Sequence, residues 1–243
     1  MNNPKAMNAL EDGMTSELKA AYLDVSDDDD IGAVILTGSE KAFCAGGDLK
    51  RLQEGFGTTE EGCRYMASFH GLVKTFMNMP KPTIAAVNGF AVGAGFCIAM
   101  QADLIMASDK AKFGMAFANI GLIPDLAGLY TLPRLIGLQR AKELVFTRRN
   151  ISAEEAYNLG IANCVVPHDA LMDEAMKLAK DLANGPRVAF RMAKQVMNHS
   201  VNMTLEQLLD VESQAQAICF QSEDYKTGVD AFFKKEKPIF KGK

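Results

Sequence analysis

The positions of apolar and polar residues along this chain follow two periods, one typical of helices and one of buried strands. Apolar residues at helical spacing predict helices over 7–24 and 58–79, and a third over 125–147 that divides near Pro133 and Gly137. Short apolar and β-branched runs between turn residues predict buried strands. The predicted strands span 33–39, 82–90, 103–108, 111–115 and 161–167.

The pattern changes near residue 168. Before it, strands alternate with helices, including a short helix at "SAEEAYNLG" with Ser152 as its cap and Gly160 as its end. After it, helical periodicity continues almost to the C-terminus with little strand signal. The sequence therefore predicts an α/β core over 1–167, built of repeated strand–strand–helix units, and a helical region over 168–243.

Composition narrows the class of protein. Of 243 residues, 48% are hydrophobic, and the formal net charge is −4, without a basic run. Nucleic acid is excluded as a predicted partner, because phosphate binding requires a basic surface. The five cysteines show no metal-binding spacing, and neither a signal peptide nor an apolar run of about 18 residues is visible. We therefore expect a cytoplasmic protein that binds neither metal nor membrane.

Two glycine-rich turns carry the most specific chemical signal. The first is "KAFCAGGDLK" and the second, "GFAVGAGF", opens an apolar helix about fifty residues later. Glycine turns at helix starts often bind anions, since unpaired N–H groups converge there. The alternative is that both turns only permit close packing of strands and helices.

Five blocks in order resemble the crotonase superfamily, the enoyl-CoA hydratase/isomerase group, over almost the whole chain. They are "NNPKAMNAL", "ILTGSEKAFCAGGDLKRL", "KPTIAAVNGFAVGAGFCIAMQADLIMAS", "AKFGMAFANIGLIPD" and "AKELVFTRRNISAEEAYNLGIANCVV". The resemblance implies an α/β superhelix of repeated ββα units with a C-terminal helical trimerisation region. It also implies homotrimers or hexamers that act on acyl-CoA thioesters without another cofactor.

By this resemblance, two backbone N–H groups, those of Gly47 and Ala94, bind the thioester oxygen. Removing a proton beside a thioester places negative charge on that oxygen, and two fixed donors in a dry site stabilise it. The family's hydratases hold a water with two glutamates, and the matching positions here are Cys97 and Phe117. Simple hydration is therefore not the expected reaction.

Asp125, in "GLIPD", is the remaining acid in a segment that is catalytic in relatives. By resemblance to the family's isomerases, it would shuttle a proton between C2 and C4 of a 3-enoyl-CoA. Apolar neighbours such as Phe90, Phe117 and Leu126 are expected to raise its pKa. The alternative is that Asp125 is a helix N-cap. Hydration by an unusual arrangement, dehalogenation, thioester hydrolysis and silent acyl-CoA binding remain open as functions.

The resemblance also indicates where coenzyme A would lie. Further expected contacts come from the two glycine turns and from the C-terminal tail, which in relatives reaches a neighbouring subunit. These residues are Cys44, Ala45, Asp48, Leu49, Lys50, Gly93, Phe232, Lys235 and Phe240. Relatives have a strand before "NNPKAMNAL", so either the start is truncated or the sheet lacks its first strand. Strand 33–39 is then expected to form a sheet edge, and the chain is expected to be less stable than one extended by that strand.

Overall fold

The computed structural model describes all residues 1–243. The eight strands are β1 (Val34–Thr37), β2 (Ala42–Cys44), β3 (Thr83–Val87), β4 (Phe90–Val92), β5 (Leu104–Ser108), β6 (Lys112–Gly114), β7 (Asn150–Ser152) and β8 (Cys164–Val166). The helices before residue 168 are α1 (Asp12–Asp27), α2 (Leu49–Glu54), α3 (Thr59–Ser68), α4 (His70–Met77), α5 (Ala94–Ala99), α6 (Gly128–Ile136), α7 (Leu138–Thr147) and α8 (Ala153–Asn158). The C-terminal helices are α9 (Leu171–Ala183), α10 (Arg187–Ser200), α11 (Leu205–Gln221) and α12 (Glu223–Lys234).

The strands form two four-stranded sheets, ordered β1-β3-β5-β8 and β2-β4-β6-β7. Successive strand pairs contribute one strand to each sheet, so that β1 and β2, β3 and β4, and β5 and β6 repeat the same step. All pairings are parallel except that of β6 with β7. This arrangement confirms the predicted superhelix of ββα units.

One continuous core holds the two sheets and the helices between them. It contains 35 buried residues, which extend along the chain from Leu10 to Ala162. Every residue of β3 is buried, because this strand has neighbours on both edges and packing on both faces. The sequence of this strand, "TIAAV", accordingly shows no alternation of apolar and charged residues.

The C-terminal helices begin by packing on the first sheet. Leu171 and Ala175 of α9 form a small buried cluster with Ala86 and Met106. Lys194 of α10 is also buried, and its Nζ lies 2.7 Å from Oδ2 of Asp103. Helices α9 and α10 are therefore fixed to the sheet, whereas α11 has no buried residue.

Several predicted elements differ in detail. The helix predicted over 58–79 is two helices, α3 and α4, because the chain turns at Phe69, whose ring packs edge-on against Tyr65. The three-residue strands β2 and β7 and the short helix α2 were not predicted, since such segments are too short to show a period. The division of the 125–147 helix falls at Gly137, with Pro133 inside α6.

The first sheet ends at β1, as expected from the sequence. Strand β1 pairs with β3 on one side only, and the amino group of Met1 donates a 2.7 Å hydrogen bond to the Thr37 carbonyl. No helix is both long enough and apolar enough to cross a bilayer.

Candidate active site

The two glycine turns lie against each other at the ends of neighbouring strands. The first follows β2 and the second joins β4 to α5. A Cβ atom on Gly95 would lie 2.1 Å from the Cys44 carbonyl oxygen, and one on Gly46 would lie 3.0 Å from that of Val92. Gly46 also has a φ of +110°, which favours glycine. The close approach of the two backbones therefore requires these glycines.

This approach leaves two N–H groups at one cavity. Gly47 N–H has no acceptor within the protein, and Ala94 is the first residue of α5, so its N–H has no partner in the helix. Both residues line the same cavity of about 980 Å³. A ligand in the cavity can thus reach both donors.

The cavity is mostly apolar: 16 of its 25 lining residues are hydrophobic. Eight residues named in the sequence analysis line it, namely Ala45, Gly47, Leu49, Gly93, Ala94, Phe117, Asp125 and Leu126. A wall of side chains from α3 faces them, including Tyr65, Met66 and the adjoining Phe69. A large apolar pocket with few polar groups is typical of small-molecule sites.

Asp125 supplies the carboxylate in this cavity. Its Oδ1 atom is buried and has no hydrogen-bond partner. Burial raises the pKa of the Asp125 carboxyl to about 6, from a usual value of 3.8. A carboxyl with that pKa is ionised near neutral pH, yet it is a much better proton acceptor than an ordinary aspartate.

Asp125 does not cap a helix. The prediction that it starts a helix is wrong: Leu126 and Ala127 are left-handed, with φ of 44° and 64°, and α6 begins only at Gly128. The N-cap residue of α6 is Ala127, and no side chain caps this helix. The carboxylate is therefore free of the role that usually explains an aspartate in such a position.

The two positions at which the resemblance would place the hydratase glutamates, Cys97 and Phe117, hold no acid. Phe117 lines the cavity with its ring. Cys97 is fully buried in α5, and burial raises the pKa of its thiol well above the usual value. A Cβ atom on Gly128 would lie 2.4 Å from the Cys97 sulfur, so α6 packs directly on this thiol. Neither residue can activate a water as a carboxylate does.

A sequence model described as enoyl-CoA hydratase/isomerase matches residues 1–243. The chain belongs to the enoyl-CoA hydratase/isomerase family. A 1,2-epoxyphenylacetyl-CoA isomerase of Escherichia coli (strain K12) is 38% identical to it, over 100% of this chain and 94% of the relative. A short-chain-enoyl-CoA hydratase of Clostridium acetobutylicum is 37% identical, over 98% of this chain and 90% of the relative.

Solved structures of the family share the fold. An enoyl-CoA hydratase/isomerase from Cupriavidus metallidurans CH34 has a TM-score of 0.95 at 33% identity, covering 100% of this chain and 91% of that one. An enoyl-CoA hydratase from Bacillus anthracis has a TM-score of 0.92 at 34% identity, covering 99% and 93%. The crotonase-type superhelix predicted from the sequence is therefore confirmed.

Other residues expected to contact substrate, by likeness to the family, lie outside this cavity. Cys44 is buried behind the first turn, and Asp48 caps α2 by accepting a hydrogen bond from the Lys50 N–H. The Lys50 side chain is exposed. Phe90 is 41% exposed and is not among the residues that line the cavity with Asp125, so its place beside that carboxyl stays a prediction.

The tail residues also lie away from the cavity within one chain. The Phe232 side chain is 78% exposed, and Lys235 follows the end of α12. The Phe240 ring rests over Gly228, because Asp224 accepts hydrogen bonds from N–H groups of the last residues and folds the tail back onto α12. Their predicted role at a neighbouring subunit stays a prediction.

The cavity residues of α3 were missed in the sequence reading. Tyr65, Met66 and Phe69 fall in a segment predicted as helix, but helical period alone does not say which apolar face meets the core and which meets a ligand. Leu122, a residue of the "GLIPD" segment itself, also lines the cavity and was not predicted to do so.

The raised pKa of Asp125 predicts how the stability of the protein depends on pH. Because the folded-state pKa of Asp125 is raised, its contribution to stability is full at low pH and is lost as the pH rises through about 6. Asp125→Asn removes this loss, so we expect it to raise the free energy of unfolding by about 1–3 kcal/mol near pH 8, and by much less near pH 4.5. Urea denaturation of both proteins at the two pH values measures this change in the free energy of unfolding. An equal change at both pH values would contradict a raised pKa of Asp125.

Proposed function

We propose that this protein is an enoyl-CoA isomerase, which moves the double bond of a 3-enoyl-CoA into conjugation with the thioester. The observation that supports it most is the unpartnered carboxylate of Asp125 in the cavity that Gly47 and Ala94 also line. A proton-transfer site for an enolate needs these parts: a base, and donors for the oxygen that becomes negative.

In the proposed reaction, the thioester oxygen accepts hydrogen bonds from the Gly47 and Ala94 N–H groups. Asp125 takes a proton from C2, and the electron pair delocalises through C2, C3 and C4 onto the thioester oxygen. The same carboxyl then returns the proton at C4, and the double bond moves from C3–C4 to C2–C3. One carboxyl suffices, because the proton removed equals the proton returned, and no redox or metal cofactor is required.

Hydration requires a group that activates water, and this cavity has no such group at the positions where the resemblance would place it. Adding water across C2–C3 needs a group that activates the water, and the corresponding side chains are the Cys97 thiol and the Phe117 ring. Most of the similar relatives are named hydratases and one is named an isomerase, so family membership does not by itself favour the isomerase reaction. The side chains of this chain favour the isomerase.

A pair of assays tests the proposal. With 3-enoyl-CoA, the absorbance of the conjugated thioester should rise; with a conjugated 2-enoyl-CoA, it should not fall through hydration. Rapid hydration of 2-enoyl-CoA and no isomerisation would overturn the proposal. Binding of acyl-CoA without any turnover would identify a silent binder and would overturn it as well.

We further propose that the active form is an oligomer whose C-terminal helices meet. Large apolar side chains are exposed there, among them Leu205, Leu209, Ile218, Phe232 and Phe233. Such surface is usually covered by a partner. Light scattering should give the mass of a trimer or hexamer, and a monomer at micromolar concentration would contradict the proposal.

A further inference from the structure

A buried amide lies directly beside the turn that carries Asp125. Gln101 comes two residues after the end of α5 and is only 4% exposed. Its Nε2 donates a 2.8 Å hydrogen bond to the Leu126 carbonyl. A carbonyl can only accept, so the amide must present its NH₂ group here. A buried amide destabilises the protein unless it is hydrogen-bonded, so the folded state strongly favours keeping this bond.

The turn that receives this bond is strained. Leu126 and Ala127 both have positive φ, a region that residues with a Cβ atom seldom adopt. Each such residue costs roughly 1 kcal/mol or more, so the surroundings must hold the conformation. If this turn relaxed to ordinary backbone angles, the direction of the preceding Asp125 side chain would change.

We propose that Gln101 is a positioning residue: through the Leu126 carbonyl it holds the strained turn that keeps the Asp125 carboxyl directed into the cavity. This inference rests on the proposed function, because it assigns Gln101 a role only if Asp125 is the base. The helix α5 then serves two purposes. Its first residue, Ala94, provides a donor for the thioester oxygen, and the segment after its last residue supports the base.

The position of Gln101 explains how the Ala94 N–H group and the Asp125 carboxyl keep a fixed spacing. Six residues of helix extend about 9 Å, so Ala94 and Gln101 lie at opposite ends of one short rigid element. Gly128 packs on Cys97 in the middle of α5, which fixes the start of α6 to the same helix. The base and the donor are thereby held by one element rather than by two independent loops.

Gln101→Met tests the proposal, since it matches the length of glutamine and cannot donate. We expect kcat for 3-enoyl-CoA isomerisation to fall about 10- to 100-fold, because small displacements of a reacting group have effects of that size. KM should stay within about twofold, since the groups that bind substrate are untouched. The acid limb of the kcat–pH profile should move to lower pH, because a released carboxyl becomes more solvated.

The pH readout is interpretable because few titratable groups face Asp125. Cys97 faces it from α5 and Tyr65 from α3, and both have raised pKa values, so neither titrates in the range where Asp125 does. The pKa of Tyr65, and not that of Asp125, is affected by the charges of Arg51, Asp12 and Asp48. A shift in the acid limb therefore reports the Asp125 carboxyl.

Asn198→Leu is the matched control. Asn198 of α10 donates its amide to the Met77 carbonyl at 2.9 Å, the same kind of bond at a site away from the cavity. We expect this variant to lose stability but to keep the wild-type kcat and pH profile. A folded Gln101→Met protein with wild-type kcat and pH profile would overturn the inference, as would a fall in kcat without a shift in the profile.

If Gln101→Met does not fold, Gln101→Glu tests whether the hydrogen bond to the Leu126 carbonyl supports catalysis. A neutral glutamic acid can still donate to the Leu126 carbonyl, whereas the ionised form cannot. The ratio of variant to wild-type rate should therefore fall as the pH rises, and a constant ratio would overturn the inference. Failure of the proposed function looks different: Asp125→Asn would then retain activity, or wild-type protein would show none.

Discussion

Replacing Asp125 with asparagine is expected to lower kcat for 3-enoyl-CoA isomerisation by about 10³-fold. The effect is large because general acid–base catalysis contributes about 10²–10⁴, and asparagine cannot accept or return a proton. KM should change by less than about threefold, since Asn keeps the shape of the side chain and the oxyanion donors remain. Steady-state kinetics by absorbance of the conjugated thioester measure both constants.

The control for this experiment is Asp24→Asn. Asp24 is an exposed residue of α1, outside the cavity, so the same chemical change there should leave kcat unaltered. If Asp125→Asn retains more than about a tenth of the wild-type rate, the carboxyl does not transfer the proton, since even the weakest general base contributes more than that.

Replacing Gly95 with alanine is expected to damage both stability and activity. The added Cβ would meet the Cys44 carbonyl oxygen at 2.1 Å and the Cys44 Cβ at 2.7 Å, and backbone cannot rotate away as a flexible side chain can. The two turns must separate, at a cost of about 3 kcal/mol in the free energy of unfolding. Since the Gly47 and Ala94 donors move apart with them, kcat should fall about 10²-fold even in the folded fraction.

Gly13→Ala provides the comparison for this substitution. Gly13 lies in the first turn of α1, and a Cβ there would have no atom within 4 Å. Alanine favours helix over glycine, so this variant should be unchanged or more stable by up to about 1 kcal/mol. Denaturation curves and rates at saturating substrate compare the two variants. Wild-type stability and kcat in Gly95→Ala would contradict the close contact of the turns.

The fold was largely predictable because its strands are buried and its glycine turns are distinctive. The run "TIAAV" predicts a buried strand, and every residue of β3 is buried. The resemblance carried by the two glycine turns predicts a common site, and the structure brings Gly47 and Ala94 to one cavity. These features depend on local residue types, which a sequence displays directly.

The remaining features depend on contacts that no local pattern contains. Leu126 and Ala127 are ordinary residues, so nothing in "PDLAG" indicates two consecutive left-handed angles; Gln101, distant in sequence, contacts that turn only in the folded chain. For the same reason the sequence pattern predicts a helix that begins at Asp125, whereas α6 begins at Gly128. The cavity wall of α3 likewise forms only when helices pack.

A crystal structure with a bound 3-enoyl-CoA analogue tests the central claim most directly. We expect the thioester oxygen to lie about 2.7–3.1 Å from the backbone nitrogens of both Gly47 and Ala94, with an Asp125 carboxylate oxygen about 3–3.5 Å from C2. A thioester oxygen that reaches neither nitrogen, or a carboxylate that faces away from both C2 and C4, would contradict enolate chemistry at this site.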